Sequence, residues 1–257
     1  MITIQHVSKY YDDHPALQDL SWHVKAGEWW GIIGPNGSGK STLLQLLSGV
    51  EAPTSGRVEL EGRNIRTFGR KELARKIAVL QQEGLPQTNF TVREVLEMGR
   101  YPFQNWRGRE QRDPGPFLDS IMDKLELREL QHRPVDLLSG GQRQRAALGK
   151  VMAQEPSLLL LDEPTTYLDI RYQLQFMNMV ASWRKETGIT VISVLHDLNL
   201  ASQFCDKLLL LHENQSAGEG SPAQMLTEEN LRDIFRVDTS IVPHPCNGLP
   251  QVLLVRQ

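Results

Sequence analysis

Cysteine is scarce in this chain. The two that occur, Cys205 and Cys246, lie far apart, with no C-x-x-C pair and no zinc-type spacing. That argues against a disulfide framework or a structural metal site and fits a reducing compartment. Long apolar runs are also missing. No stretch approaches the ~20 residues that span a bilayer, and the longest leucine runs, 158–161 and 208–211, are strand-sized. The N-terminal MITIQHVSKYY has no apolar core of signal-peptide length. An excess of positive charge is absent too. The formal net charge is −3, which gives no footprint for non-specific nucleic-acid binding. Internal repeats and low-complexity segments are not seen. A soluble, cytoplasmic protein is expected.

What the chain does have is size and apolar content. With 257 residues, 40% of them hydrophobic, it can bury a substantial core as one large domain or a domain with an insert. Short apolar runs recur: ITI (2–4), GEWWGIIG (27–34), IAVL (77–80), SLLLLD (157–162), ITVISVL (189–195) and KLLLLH (207–212). Continuous runs of this kind fit strands buried on both faces, as in a parallel sheet covered by helices. Helical stretches at 40–48, 142–154 and 171–187 alternate with them, which predicts an α/β fold. From about Leu85 to Glu155 no buried strand is legible. VREVLEMGR and FLDSIMDKLEL read as helices, and the Pro-, Gly- and charge-rich segment between them reads as a loop. The region is expected to be a mostly helical insert. A further helix near 227–235 and a final strand, QVLLV, complete the chain.

GPNGSGKST, residues 34–42, fits G-x-x-x-x-G-K-[ST] throughout, after the strand WWGII and at the start of the helix KSTLLQLLSG. The loop Gly34, Pro35, Asn36, Gly37, Ser38, Gly39 lets backbone N–H groups converge on phosphate oxygens. The helix N-terminus at Lys40, Ser41 and Thr42 adds its dipole. Lys40 is expected at the β- and γ-phosphates and the Ser41 hydroxyl on Mg²⁺. A chance glycine-rich turn would not place strand, loop, lysine, hydroxyl and helix in this order. LLLLDEP (158–164) is a hydrophobic strand ending in two acids. Asp162 is the expected Mg²⁺ ligand, and Glu163 the residue that polarises an attacking water. No NKxD guanine-reading motif occurs. A second glycine turn, LLSGGQRQRAALGK (137–150), has a hydroxyl and a following helix but no lysine in the turn.

Together these motifs resemble the ATPase subunits of ABC transporters, over nearly the whole chain and in the family's order. GPNGSGKST is the phosphate loop, Gln82 the Q-loop glutamine (with Gln81 beside it), LSGGQ (138–142) the signature, LLLLDEP the catalytic strand, TYLD (166–169) the D-loop and His196 in SVLHD the switch histidine. Tyr11, with Tyr10 adjacent, falls where the family stacks an aromatic ring on adenine. The resemblance implies a P-loop NTPase (RecA-like) core with a mostly parallel sheet, an N-terminal antiparallel β part and an inserted helical subdomain. It implies a division into 1–84, 85–155 and 156–257. It also accounts for the second turn. Two copies pack head to tail, and Ser139, Gly140, Gly141 and Gln142 of one serve the ATP held by the other. Gln82 would reach Mg²⁺ and the attacking water, His196 the γ-phosphate, and Asp169 the opposing copy.

With no membrane span of its own, such a subunit works at the cytoplasmic face of the membrane with separate permease subunits and, through them, a substrate-binding protein. TVREVLEMGRYPF (91–103), EPTTYLDIRYQ (163–173), the bulky Tyr167 and TEENLRDIFRV resemble the subgroup serving iron–siderophore, haem and cobalamin uptake. Arg100, Tyr101 and Phe103 lie in the insert segment that meets a permease in that family, or else pack within their own loop. The competing readings are an importer or exporter ATPase with other cargo, and a soluble non-transport ABC protein.

Overall fold

A computed structural model describes residues 1–82, 84–86, 88–166 and 168–256. In chain order, β1 (Ile2–Tyr11), β2 (His14–Val24), β3 (Trp29–Ile33), α1 (Lys40–Ser48), β4 (Ser55–Leu60) and β5 (Arg63–Asn64) come first. Then follow α2 (Arg70–Ala74), β6 (Ile77–Leu80), α3 (Val92–Met98), α4 (Gly115–Lys124), α5 (Gly140–Ala153), β7 (Leu158–Asp162) and α6 (Ile170–Thr187). The chain ends with β8 (Thr190–Val194), α7 (Leu198–Phe204), β9 (Lys207–His212), β10 (Gln215–Gly220), α8 (Pro222–Met225), α9 (Glu228–Phe235), β11 (Thr239–Pro243) and β12 (Pro250–Leu254). Two compact units result: Met1–Thr67 with Thr190–Gln257, and Phe68–Ile189.

In the first unit, β3 pairs in parallel with both β8 and β9. All five residues of β3 are buried, as are all five of β8. This is why these strands read as unbroken apolar runs rather than alternating ones. Trp29 and Trp30 are consecutive and point to opposite faces. Trp29 Nε1 donates to Ser193 Oγ at 3.0 Å, so its one polar atom is satisfied. Trp30 meets Trp22 edge-on at 5.2 Å. A separate antiparallel sheet, β2-β1-β4-β5, forms the expected N-terminal β part. β9 returns as β10 through Glu213 and Asn214, both in the left-handed region (φ 47 and 64) that two-residue hairpin turns require. The segment HENQSAGEGSP (212–222) thus holds the turn and second strand of a hairpin.

The second unit holds the parallel pair β6–β7 and the helices α3 to α6. Among its described residues 85–155 only an isolated bridge, Thr91 to Pro134, interrupts the helices and turns. Its apolar centre is made by Leu96, Leu118, Ile121, Met122 and Leu148, all buried. Three of these helices start at side-chain caps: Thr91 for α3, Ser139 for α5 and Asp169 for α6. Cys205 is buried, Cys246 is exposed, and both are free thiols. Among the described residues no helix is long and apolar enough to cross a membrane.

Candidate functional site

β3 delivers the chain to Gly34, and the loop 34–39 closes onto α1. A Cβ on Gly34 would lie 2.2 Å from the Leu211 carbonyl oxygen. Gly39 has φ 97, and a Cβ there would lie 2.3 Å from the Ala16 carbonyl oxygen. No side chain caps α1 and no acidic residue occupies its first turn. The first N–H groups and the positive helix end are therefore left for an outside anion. Inside the loop the Ser38 hydroxyl is buried and has no hydrogen-bond partner. The Lys40 ammonium, itself buried, donates to the carbonyls of Gly34 and Pro35, both at 2.8 Å. A backbone cradle with an orphaned hydroxyl and an ammonium held at its rim fits a phosphate chain. Asn36 and Gly37 are exposed at its tip, Ser41 is exposed on the first turn and Thr42 is half-buried.

Two further residues belong to this unit. Tyr10 and Tyr11 are 41% and 43% exposed, so neither packs into the sheet. The Tyr11 hydroxyl donates to Gln45 Oε1 on α1 at 3.4 Å, and Lys9 Nζ stands 4.8 Å from its ring centre. Tyr11 is thus tied to the phosphate-loop helix. His196 is exposed just beyond β8, one residue past Leu195, whose N–H donates to the Ile32 carbonyl at 3.2 Å. Asp197 beside it caps α7.

In the second unit β7 ends at Asp162, with Glu163 next. The Gln82 amide donates to Glu163 Oε2 at 2.9 Å, and the Thr166 hydroxyl donates to the same oxygen at 3.3 Å. Gln81 is exposed, so the geometry favours Gln82 of the adjacent pair. Ser139 is the N-cap of α5: its hydroxyl accepts from Gln142 N at 3.4 Å, and Gln142 Oε1 accepts from Ser139 N at 3.0 Å. Ser139 and Gly140 are exposed, while Gly141 is buried. A Cβ on Gly141 would meet the Tyr172 ring at 2.8 Å, so packing against α6 already accounts for that glycine. Asp169 Oδ1 accepts from Tyr172 N at 3.0 Å and caps α6. Tyr167 lies outside the described residues.

In the second unit the carboxylate of Asp162 and the amide oxygen of Gln82 are hard donors of the kind Mg²⁺ takes, and in the first unit the Ser41 hydroxyl is another. Among the described residues no group of three His, Cys, Asp or Glu side chains could hold a metal by itself. Oxygen donors of this chemistry fit a cation that arrives with nucleotide oxygens to complete its shell. Arg100 is 8% exposed. It donates to Glu110, to the Ala153 carbonyl and to Glu155, and stacks on Phe103 at 4.0 Å. Of the two roles open to it, packing is the one observed. Tyr101 by contrast is 62% exposed. Sequence reasoning gave no separate role to Thr166, Gln144 or Gln173 around the Glu163 turn: each lies within a quoted stretch, but no spacing rule ties its side chain to Glu163.

A strand, a glycine loop with its lysine and a helix, followed by a second strand ending in Asp-Glu, define a P-loop ATPase. The ABC transporter family matches residues 17–166, and the chain belongs to that family. It is 39% identical to the petrobactin import ATP-binding protein FpuC of Bacillus anthracis, over 94% of this chain and 89% of that one. It is 37% identical to the ferric enterobactin transport ATP-binding protein FepC of Escherichia coli, over 95% and 90%. It is 40% identical to the hemin import ATP-binding protein HmuV of Bradyrhizobium diazoefficiens, over 98% and 94%. Among solved structures it resembles one described as an inward-facing metal-chelate type ABC transporter, with TM-score 0.85, 26% identity and coverage of 99% and 97%. It also resembles the dimeric post-hydrolysis cassette MJ0796 bound to ADP and phosphate, with TM-score 0.75, 27% identity and coverage of 86% and 99%. The chain is accordingly an ATP-hydrolysing transport subunit with an α/β P-loop fold.

Proposed function

We propose that this chain works as a homodimer closed around two ATP molecules and powers import of an iron–siderophore, haem or cobalamin through separate permease subunits at the cytoplasmic face of the membrane. Residues 1–84 and 156–257 form its nucleotide-handling core, and 85–155 its helical subdomain. The observation that carries the dimer is the signature turn. Ser139 and Gly140 stand exposed at the N-terminus of a 14-residue helix, open to a ligand from outside the chain.

Tyr11 stacks on the base. Residues 34–42 cradle the phosphates, and an anion entering there offers the Lys40 ammonium an opposite charge, which the neutral carbonyls of Gly34 and Pro35 do not. Ser41, Gln82 and Asp162 would hold Mg²⁺, which would supply charge neutralisation for the triphosphate. Glu163 orients and polarises the attacking water, with His196 at the γ-phosphate. Ser139, Gly140, Gly141, Gln142 and Asp169 act across the dimer. The γ-phosphate is the group that the partner's signature turn contacts only in the closed state, so its loss on hydrolysis releases the partner.

The cargo reading is supported by the names of relatives that serve petrobactin, ferric enterobactin and hemin. The exposed Tyr101 lies in the segment offered to the permease. Glu163→Gln with ATP and Mg²⁺ is expected to bind nucleotide, stop turning over and elute as a dimer in size-exclusion chromatography. Elution as monomer only would refute the shared site. Growth of a deletion strain on defined iron chelates, haem or cobalamin tests the cargo.

A further inference from the structure

The turn that carries Glu163 is held by contacts to which the motifs assign no role. Glu163 is a non-glycine residue at φ 48, directly before Pro164. A proline ordinarily drives its predecessor to extended backbone. Backbone strained in this way persists where its surroundings over-determine it. Here the surroundings can be named. The Thr166 N–H donates to the Glu163 carbonyl at 3.2 Å. Gln144, on α5, donates from Nε2 to the Pro164 carbonyl at 2.8 Å. Gln173, on α6, donates from Nε2 to the carbonyls of Thr165 and Leu168 at 3.3 and 3.0 Å. Both glutamines are half-buried.

We propose that Gln144 is a positioning residue for Glu163, with Gln173 as its second anchor. The inference rests on the reading of Glu163 as the group that orients the attacking water. That task needs the carboxylate within hydrogen-bond reach of the water, and small misplacements of reacting groups are costly. Gln144 fixes the carbonyl of the very next residue, so it limits rotation of the Pro164–Thr165 peptide, the Thr166 N–H holds the Glu163 carbonyl, and Gln82 and Thr166 fix the side chain. Helix α5 then serves two nucleotides. Its exposed first turn faces the partner's ATP, while Gln144, on a later turn, holds the base that acts on its own chain's ATP.

The test is steady-state ATPase activity of the full chain with Gln144→Met, which keeps length and removes the N–H donor. Loss of one hydrogen bond of ordinary net worth should lower kcat about 3- to 10-fold. The KM for ATP should stay within about 2-fold, because Gln144 spends its N–H donor on the Pro164 carbonyl and is assigned no nucleotide contact. A structural role alone would not predict the next result. In a Glu163→Gln background, measured under single turnover, Gln144→Met should change the rate by less than about 2-fold, since the group it positions is gone. Wild-type kcat in Gln144→Met, or the same loss in both backgrounds, overturns the proposal. Undiminished turnover in Glu163→Gln overturns the catalytic reading beneath it instead. If Gln144→Met does not fold, Gln173→Met is expected to show the same pattern and is judged by the same outcomes.

Discussion

Arg100→Met offers a sharp test of the second unit, because sequence alone left this arginine between two roles. The Arg100 side chain is 10% exposed and that of its partner Glu110 is 9% exposed. Arg100 NH2 donates to Glu110 Oε2 at 2.7 Å, and Nε reaches both carboxylate oxygens at 3.1 and 3.2 Å. Burial alone would lower the guanidinium's pKa, but hydrogen bonds to Glu110 and Glu155, with their charges, outweigh it and raise the value. Methionine fills most of the same volume and removes every donor. The Glu110 carboxylate would be left buried and unpaired, which costs about 3–5 kcal/mol. In a chain of this size that corresponds to a Tm lower by about 6–20 °C. Thermal unfolding followed by circular dichroism reads the shift. Adding Glu110→Gln removes the stranded charge, so the double variant should recover about half or more of the loss. A single variant within about 1 kcal/mol of wild type would refute the argument. It would mean that Glu110 regains water on its own and that Arg100 is free for a partner.

Two other outcomes follow from named contacts. Burial tends to raise the Glu28 carboxyl's pKa, but hydrogen bonds from Trp30, the Lys25 N–H and Lys207, with the charge of Lys207, bring it from 4.5 down to about 2. A depressed carboxylate contributes stability above its unfolded pKa and loses it as the pH falls toward the folded one. Glu28→Gln should therefore remove about 1–3 kcal/mol of urea-measured stability at neutral pH, with the difference vanishing between pH 4.5 and about 2; a difference that stays constant with pH would refute this. Gly140→Ala should leave the isolated chain as stable or up to about 1 kcal/mol more stable in urea unfolding, yet lower ATPase turnover; unchanged turnover would remove the reason offered for that glycine.

Much of the fold was legible because its strands are buried on both faces. WWGII, LLLLD, TVISV and KLLLLH announce themselves by continuous apolar runs, and each is a strand. β4 (SGRVEL) and β10 (QSAGEG) did not, because half or more of each strand's residues are at least partly exposed. Their identity comes from pairing with β1 and β9, which a local pattern does not carry. The phosphate loop, Asp162 and Glu163 were legible because their chemistry demands particular residues at fixed spacing. Gln144 and Gln173 were not. Any long side chain ending in a donor could reach a carbonyl, so the sequence carries no spacing rule for them, and only the turn's geometry reveals the need.

The two glycine turns repay comparison, since residue type alone makes them look alike. Gly39 is fixed by its own chain, through φ 97 and the Ala16 carbonyl 2.3 Å from any Cβ. Gly141 is fixed by the Tyr172 ring. Gly140 has neither reason. Its φ is not positive, it is exposed, and no atom lies within 4 Å of where a Cβ would stand. As the first residue of α5 it even forfeits helix propensity relative to alanine. A residue that costs local stability and serves no internal contact is explained by something the isolated chain does not contain. An anion seated against the N–H groups after Ser139 needs the backbone bare on the side where Gly140 is open, and in the proposed dimer that anion belongs to the other copy.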